Sequence, residues 1–310
     1  LHLSLRRQRQ MCIRDSLIII RIMSIKQQLV RILLRGMKEV YMDRIISDKL
    51  YLSLLYRRVL DKKMHWDNPC TFNEKLQWLK IYNRRNEYTQ MVDKIAVKKI
   101  VAEKLGEKYI IPTLGVWDDF DDIDFSILPD RFVLKCNHDS GSICICKNKN
   151  TFDIAEARKK MRKGLKQNLY WAGREWPYKD VKPRILAEKF MEDEGGDGDL
   201  KDYKLMCFNG KVYCTFVCSE RFEGSGLKVT FFDRDWKRLS FERHYPSSEK
   251  VIFKPVHYYE MIRLAEELSK NIPFVRSDFY EINGQLYFGE LTFYPGSGLE
   301  EFTPPEWDRR

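Results

Sequence analysis

The chain contains 310 residues, 44% of them hydrophobic and 13% aromatic, and carries a formal net charge of +10. It is long enough and apolar enough to bury a large core in two or three small domains, which excludes a disordered or fibrous protein. The positive charge suits a nucleotide, an anionic sugar or an anionic membrane surface. No RNP, zinc-finger or helix-turn-helix pattern accompanies it, so we expect no nucleic-acid partner.

The first residues differ from the rest of the chain. The sequence opens with Leu1 instead of Met, and its beginning resembles translated sequencing-adapter read-through. We therefore predict that residues 1–22 are a non-native leader and that Met23 is the true start. The longest aliphatic run near the start, 17–20, is too short for a membrane span or a signal sequence.

The eight cysteines include no CxxC pair, and most of them lie among apolar residues, as reduced core cysteines do. Reduced cysteines and the lack of an export signal predict a cytoplasmic protein. The basic charge leaves peripheral association with a membrane open.

Residues 23–91 are predicted to form a helical N-terminal region. The part from Met23 to Lys63 contains ten basic and four acidic residues, and its apolar residues recur at helical spacing. Such basic amphipathic helices either pack on the main body or dock on a membrane or a partner. Thr71 and Glu74 then form a capping box ahead of an apolar run, which predicts the start of a further helix.

Residues 92–194 are predicted to form the first of two subdomains that contain both helices and strands. The expected elements are helices at 93–105 and 153–167 and strands at 110–117, 131–137, 143–147 and 183–191. Gly106 is expected to end the first of these helices.

Residues 195–310 are predicted to form the second subdomain, which begins with a flexible glycine-rich connection at 195–199. Strands are expected within 202–220, a helix near 259–270 and a hairpin at 274–293. Alternating strands and helices combined with antiparallel hairpins predict an α+β fold. The chain ends soon after the motif FTPPEW, which is consistent with a shortened second subdomain.

Two carboxylates in the final hairpin are candidate metal ligands. Asp278 lies in its first strand and Glu290 in its second, and Mg²⁺ prefers one or two carboxylates together with substrate phosphates. A two-residue turn at Asn283 and Gly284 would pair Asp278 with Gly289 and place the acids on opposite faces. To share a face, the acids need a one-residue bulge or a three-residue loop, and we predict such an irregularity. Without it, both are ordinary polar residues of a hairpin.

A lysine at the end of a strand, Lys135, precedes a loop that contains Ser140, Gly141 and Ser142. Backbone N–H groups of such a loop can point at phosphate oxygens while the lysine adds a positive charge. A plain hairpin turn beside a solvated lysine gives the same pattern. The later strand that ends near Glu188 could accept an adenine through its backbone or lead into an acidic surface turn.

Two further patterns have competing interpretations. Asp233 and Asp235 form a DxD, which binds the metal of a nucleotide sugar in some glycosyltransferases. The following Trp236 and Lys237 favour a tight turn instead. The aromatic segment 168–178 could stack on a sugar or a peptide, or anchor a domain interface.

The order and spacing of four stretches resemble the TupA-like branch of the ATP-grasp superfamily: NPCTFNEKLQWLK, VLKCNHDSGS, YWAGREWPY and FGELTFYPGSG. That branch is linked to teichuronopeptide and surface-polysaccharide biosynthesis. The resemblance covers roughly residues 67–310, with a more distant similarity to D-alanine:D-alanine ligases. It implies an ATP-grasp fold, in which two α/β subdomains grip ATP, and it implies ATP and Mg²⁺ as cofactors.

The resemblance also implies roles for individual residues. It assigns contacts with ATP to Lys94, Lys135, Ser140, Gly141, Ser142, Glu188, Lys189, Phe190, Met191 and Asp202. The two lysines would contact phosphate, the loop would close over ATP, residues 188–191 would hold the adenine and Asp202 would lie near the ribose. It assigns catalytic contacts to Arg276 and Lys204, and Mg²⁺ ligands to Asp278, Glu290 and Thr292. Superfamily members often have Asn where this chain has Thr292, and a hydroxyl is a weaker ligand than an amide oxygen.

The implied reaction starts with attack of a substrate carboxylate on the γ-phosphate, and an amine-type nucleophile then captures the acyl phosphate. The expected partners are ATP, a carboxylate-bearing glycan or peptide, and membrane-bound polysaccharide machinery. Two alternatives stay open. One is a sugar-nucleotide glycosyltransferase of capsular polysaccharide synthesis that uses Asp233 and Asp235, and the other is an inactive ATP-grasp binding module.

Overall fold

The computed structural model describes residues 25–39, 44–193, 200–220, 224 and 226–309. The chain divides into two compact units, with the boundary between His65 and Trp66. The predicted leader, the predicted start at Met23 and the glycine-rich connection at 195–199 lie outside the described residues. The domain boundaries inferred from the sequence therefore stay predictions.

The smaller unit contains two helices, α1 (Ile25–Glu39) and α2 (Asp48–Leu60). Ser47 caps α2, because its hydroxyl accepts a hydrogen bond from the N–H of Leu50 at 3.3 Å. The two helices are in contact, and the side-chain amide of Gln27 donates to the carbonyl of Arg58 at 3.3 Å. The predicted helical character of this region is confirmed for the described residues.

The larger unit begins with three helices, α3 (Phe72–Tyr82), α4 (Glu87–Val92) and α5 (Ala96–Leu105). The predicted capping box is present: the hydroxyl of Thr71 accepts from the N–H of Glu74 at 3.1 Å, and the carboxylate of Glu74 accepts from the N–H of Thr71 at 3.0 Å. Helix α5 begins three residues later than predicted. Asp93 instead closes the turn after α4, because its carboxylate accepts from the N–H of Ile95 at 2.8 Å.

The first sheet has four strands: β1 (Thr113–Trp117), β2 (Phe132–Cys136), β3 (Ile143–Cys146) and β4 (Ile185–Lys189). All neighbours are antiparallel, in the order β1-β4-β2-β3. Helix α6 (Ile154–Leu165) packs against β2 and β3, and its Met161 joins Phe132 and Leu134 in a buried apolar cluster. Because side chains alternate along a strand, Lys135 points to the face opposite this core.

Beyond the short helix α7 (Leu169–Gly173), five strands form the second sheet: β5 (Asp202–Phe208), β6 (Lys211–Ser219), β7 (Lys228–Phe232), β9 (Phe274–Ile282) and β10 (Gln285–Thr292). Their order is β10-β9-β5-β6-β7, again with antiparallel neighbours. Helix α8 (Tyr258–Leu268) buries its apolar face against this sheet. Strands β8 (Glu242–Arg243) and β11 (Phe302–Thr303) form a separate two-stranded sheet.

Two antiparallel sheets packed against helices make an α+β fold, as predicted. The carboxylate of Asp308 fixes the C-terminal part of the larger unit, because it accepts from the backbone N–H and the side-chain amide of Asn73 at 3.0 and 3.1 Å. Across the described ranges, no helix combines the length and the apolar composition needed to cross a bilayer.

Candidate active site

A cavity of about 280 Å³ lies between the two main sheets of the larger unit. Its lining comes from the turn before α5, from strands of both sheets and from the loop between β2 and β3. Ten of the residues assigned through the resemblance line it: Lys94, Lys135, Ser140, Gly141, Ser142, Glu188, Asp202, Lys204, Asp278 and Glu290. Residues that are up to 196 positions apart in the sequence therefore meet at one cavity.

One side of the cavity carries three lysines, Lys94, Lys98 and Lys135, which we call the basic wall. The ammonium of Lys135 lies 2.7 Å from one carboxylate oxygen of Glu188, and that of Lys98 lies 2.6 Å from the other. Lys94 donates to the backbone carbonyl of Asp139 at 2.6 Å. Sequence reasoning missed Lys98, although its position four residues after Lys94, at the spacing of one helical turn, could have indicated it.

The basic wall has more positive charge than its own carboxylate neutralises. Burial would raise the pKa of Glu188, but Lys135 and Lys98 outweigh burial and hold this pKa below its usual range. Burial lowers the pKa of Lys98, and the attraction of Glu188 offsets this only in part because Lys135 repels it. An additional anion would therefore be bound favourably beside these lysines.

The loop between β2 and β3 forms one rim of the cavity. Gly141 has a φ of +109°, a conformation that glycine adopts without steric cost. The hydroxyl of Ser142 donates to the carboxylate of Asp139, and its carbonyl accepts from the N–H of Cys136 at 3.0 Å. The other carboxylate oxygen of Asp139 is buried and has no hydrogen-bond partner among the described residues. These contacts leave Ser140 and Gly141 exposed at the rim.

The other side of the cavity carries three carboxylates, Asp202, Asp278 and Glu290, which we call the acidic wall. Arg276 donates twice to Asp278, at 2.6 Å each, and its Nη2 also lies 2.8 Å from Glu290. The ammonium of Lys204 lies 2.5 Å from Asp278 and 2.9 Å from Asp202. Two cations thus hold the three acids together.

The cations and the acids stabilise each other's charged forms. Burial would raise the pKa of Glu290, but Arg276, Lys94 and Lys204 outweigh burial and hold it below its usual range. Burial opposes the charge of Lys204, yet the neighbouring carboxylates raise the pKa of this lysine above its ordinary value. Burial raises the pKa of Asp278, and the attraction of Arg276 and Lys204 offsets this only in part. Both carboxylate oxygens of Asp278 are nevertheless bonded to a cation, so we expect it to be ionised at neutral pH.

A β-bulge in β10 brings Glu290 to the side of Asp278. The first four residue pairs after the turn follow regular pairing. Two residues of β10 then lie opposite one residue of β9, and pairing resumes with Leu291 opposite Ser277. We predicted a one-residue bulge as one of two ways in which the acids could share a face, and it is confirmed. A Cβ on Gly289, at the bulge, would lie 3.1 Å from the carbonyl oxygen of Asp278, so glycine allows the close approach of the two strands.

Five of the assigned residues are absent from the described lining of the cavity: Lys189, Phe190, Met191, Arg276 and Thr292. Arg276 and Thr292 support the acidic wall from beside it, the hydroxyl of Thr292 donating to Glu290 at 3.3 Å. Lys189 is exposed at the end of β4, and the guanidinium of Arg131 lies 4.2 Å over the ring of Phe190. Their assigned contacts with ATP or Mg²⁺ stay predictions.

Within the described ranges, no group of three or more His, Cys, Asp or Glu side chains is placed to hold a metal ion. The acidic wall offers carboxylate oxygens, and the hydroxyl of Thr292 lies beside one of them. A cation bound there would therefore need further oxygen ligands from water or from a substrate, which is the usual situation of Mg²⁺ with nucleotide phosphates.

Three of the four stretches that carry the resemblance meet in a polar cluster formed by Gln77, Lys80, Glu175 and Ser297. We call it the buried clamp because Gln77 and Lys80 are fully buried, whereas Glu175 and Ser297 are half-buried. The ammonium of Lys80 donates to the carbonyl and the hydroxyl of Ser297 at 2.9 Å each, and Gln77 donates to the same carbonyl at 2.9 Å. Glu175 is hydrogen-bonded to Ser297 as well. Burial lowers the pKa of Lys80 to about 8, although the charge of Glu175 acts against this.

Two patterns with competing interpretations contribute to the fold. The carboxylate of Asp233 accepts from the N–H groups of Asp235 and Lys237 at 2.9 and 2.8 Å, which makes the DxD a tight turn. In the aromatic segment, the buried guanidinium of Arg174 lies 5.0 Å from the ring of Trp171. These contacts favour the turn and the anchor over a ligand site.

The sequence matches the family described as TupA-like ATPgrasp over residues 74–310. This match includes both main sheets, the buried clamp and every residue that lines the cavity. No curated protein matches the chain.

Similar solved structures include the D-alanine–D-alanine ligases of Bacillus anthracis, complexed with ATP, and of Helicobacter pylori, at 15% and 17% identity. The matched regions make up 66% and 73% of this chain and 54% and 63% of the two ligase chains, with TM-scores of 0.38 and 0.35. The ATP-grasp ligase PsnB, complexed with a phosphomimetic variant of its minimal precursor, Mg and ADP, is 8% identical. It covers 84% of this chain and 64% of its own, with a TM-score of 0.43. The chain thus spans less than two thirds of the length of each.

The buried clamp allows a test by a double-mutant cycle. Lys80→Met should lower the free energy of unfolding by about 1–3 kcal/mol, because it removes the hydrogen bonds of the ammonium to Gln77 and Ser297 and takes a positive charge away from the half-buried Glu175. Adding Glu175→Gln should recover part of this loss, since no uncompensated charge then remains. Lys179→Met is the control, because the ammonium of this exposed lysine lies over the rings of Trp176 and Tyr170, at 5.0 and 5.5 Å, and its loss should cost less than about 1 kcal/mol. Urea denaturation measures the unsubstituted protein, the Lys80→Met and Glu175→Gln single variants, the double variant and the control, and simple addition of the two single losses would show that the pair is not coupled.

Glu188 should stabilise the protein in a pH-dependent manner. Glu188→Gln should cost about 3 kcal/mol at pH 7, because Lys98 and Lys135 lose their buried counter-charge. A carboxylate whose pKa is lowered by folding stabilises above the pKa of the unfolded chain and loses this effect as the pH falls through the folded pKa. The difference from the unsubstituted protein in urea denaturation should therefore shrink below about pH 4.3. Glu192→Gln, which removes an exposed pair with Arg131, should cost less than about 1 kcal/mol; a cost for Glu188→Gln that does not change with pH would contradict the assignment.

Proposed function

The chain belongs to the TupA-like ATP-grasp family, and on this premise we propose that it is an ATP- and Mg²⁺-dependent ligase that joins a carboxylate to an amine-type nucleophile. The observation that carries the proposal is the single cavity with a basic wall on one side and an acidic wall on the other. Nucleotide phosphates and their Mg²⁺ ion need these two surroundings next to each other.

The basic wall fits the phosphates of ATP. Lys94 and Lys135 would exchange their contacts with Asp139 and Glu188 for phosphate oxygens, and Lys98 would add a third positive charge. At the rim, residues 140–142 would close over the nucleotide. Residues 188–191 would hold the adenine, and Asp202 would contact the ribose.

The acidic wall fits Mg²⁺. Asp278 and Glu290 supply carboxylate oxygens, and a single guanidinium nitrogen of Arg276 is bonded to both acids, which keeps them a few ångströms apart. Thr292 is the proposed third ligand, since its hydroxyl already contacts Glu290. When bound, the ion would neutralise charge on the transferred phosphate.

The proposed reaction needs positioning and charge neutralisation rather than a nucleophile from the protein. A substrate carboxylate attacks the γ-phosphate of ATP, which gives an acyl phosphate and ADP. The amine-type nucleophile then attacks the acyl carbon and releases phosphate, so that an amide forms. Arg276 and Lys204 would stabilise the negative charge that develops on the phosphoryl group.

We propose a carboxylate-bearing glycan or peptide as the substrate, in synthesis of a cell-surface polysaccharide or of a teichuronopeptide-like polymer. Membership of the TupA-like family and the resemblance of the four stretches support this choice. A cytoplasmic location and work beside membrane-bound polysaccharide machinery belong to the same proposal.

Two alternatives can be separated from this proposal. A glycosyltransferase would use Asp233 and Asp235, but two backbone N–H groups already occupy the carboxylate of Asp233. An inactive binding module would hold ATP in the same cavity without transferring phosphate.

Trapping with hydroxylamine tests the reaction. With ATP, Mg²⁺ and a panel of glutamyl peptides and uronic acids, we expect ADP together with a hydroxamate, because hydroxylamine captures acyl phosphates. Asp278→Asn should lower hydroxamate formation about 100-fold or more. The variant lacks a carboxylate ligand of Mg²⁺, and without the ion the negative charge on the phosphoryl group is stabilised less. Asp233→Asn is the control and should leave the rate unchanged.

The opposite pattern would favour the alternatives. Loss of nucleotide-sugar binding on Asp233→Asn, with normal binding in Asp278→Asn, would support the glycosyltransferase. Binding of ATP without ADP or hydroxamate formation for any carboxylate would support the binding module.

A further inference from the structure

Helix α1 of the smaller unit presents an apolar stripe to solvent. Leu29, Ile32 and Leu33 are 62%, 68% and 50% exposed. Their spacing of three and four residues places them on one face of the helix. A stripe of three neighbouring large aliphatic side chains is unfavourable in water and marks an interaction surface more often than single exposed residues do.

The stripe is not the face through which α1 packs. Among the described side chains of α1, at 27–36, those that are buried are Gln27 and Leu34, which lie on the other side of the helix, and Gln27 donates to the carbonyl of Arg58 in α2. The apolar arc of α1 is therefore wider than its packing requires. The surplus part faces solvent.

The smaller unit has further exposed apolar residues. Ile45, Leu50 and Val59 are exposed, so six of the fifteen large hydrophobic residues that are exposed in the described ranges belong to this unit. The unit has only 37 described residues, which makes it much richer in exposed aliphatic groups than the larger unit.

The same unit is strongly basic. Between Met23 and Lys63 there are ten basic and four acidic residues. On α1, the exposed Arg35 lies at the edge of the stripe next to Ile32, whereas the exposed Arg31 lies nearer the packing side. A second copy of the chain would bring like charges together, and nucleic acid offers no apolar surface to exposed Leu and Ile. An anionic lipid surface satisfies both properties, since its headgroups attract the basic side chains of the unit and its acyl boundary accepts the aliphatic side chains.

We infer that α1 docks in the plane of an anionic lipid bilayer, with Leu29, Ile32 and Leu33 inserted below the headgroups. This inference concerns the smaller unit and does not depend on the reaction at the cavity of the larger unit.

Flotation with lipid vesicles tests it on the full chain. At 0.1 M NaCl the protein should bind vesicles of 70% phosphatidylcholine and 30% phosphatidylglycerol, and it should bind vesicles of phosphatidylcholine alone at least about tenfold more weakly. Raising NaCl to 0.5 M should weaken binding to the anionic vesicles, because exposed charges are screened. A triple variant, Leu29→Gln, Ile32→Gln and Leu33→Gln, should lose at least about tenfold in binding, while Gln preserves helix propensity.

The larger unit offers a matched control. Val251, Phe253 and Val256 are also exposed, at 76%, 81% and 87%, and their triple substitution by Gln should leave vesicle binding unchanged. Circular dichroism checks that both triple variants fold. Three results would overturn the inference: absence of binding to anionic vesicles, equal binding by the α1 variant, or loss of binding in the control variant. Self-association that the α1 substitutions abolish, without lipid binding, would assign the stripe to a second copy and equally overturn it.

Discussion

One guanidinium group organises the cavity. Arg276 donates to Asp278 through two nitrogens and to Glu290 through one of them, which brings two carboxylates from neighbouring strands to one place. This contact is possible because the bulge in β10 turns Glu290 to the side of Asp278. Buried carboxylates of like charge would repel each other without such a partner. The arginine thus holds Asp278 and Glu290 together, and Lys204 connects Asp202 to Asp278.

The acidic wall comes from the second sheet, whereas the basic wall comes from β2, α5 and the turn before α5; each wall is internally neutralised in part. On the basic wall, Glu188 lies between the ammonium groups of Lys98 and Lys135 and reduces the repulsion between them. A nucleotide with its metal brings negative charge to the lysines and positive charge to the acids, so both sets of contacts can be exchanged rather than lost. Outside the cavity, the buried clamp connects two elements of the larger unit. Lys80 in α3 donates two hydrogen bonds to Ser297, which lies in the turn that follows β10.

Much of this arrangement followed from local sequence patterns. The capping box at Thr71, the strands around Lys135 and the bulge near Glu290 were predictable, since each depends on residues close together in the chain or on the two-residue period of a strand. The contacts of Lys80 with Ser297 and of Lys98 with Glu188 were not predicted, because they join segments 217 and 90 residues apart. Asp93 was placed in a helix because its neighbours have helical spacing, but its side chain caps a turn. The assignments to individual ATP contacts came from the resemblance, not from the pattern.

The central claim is that the two walls form one site for a nucleotide and its metal. Calorimetric titration of the full chain with a non-hydrolysable ATP analogue, with and without Mg²⁺, tests this claim most directly. We expect Mg²⁺-dependent binding that is lost in Lys135→Ala and in the double variant Asp278→Asn, Glu290→Gln, while folded Asp233→Asn protein binds normally. Binding that is independent of Mg²⁺, unaffected by either wall's substitutions, or absent from the folded protein would contradict it.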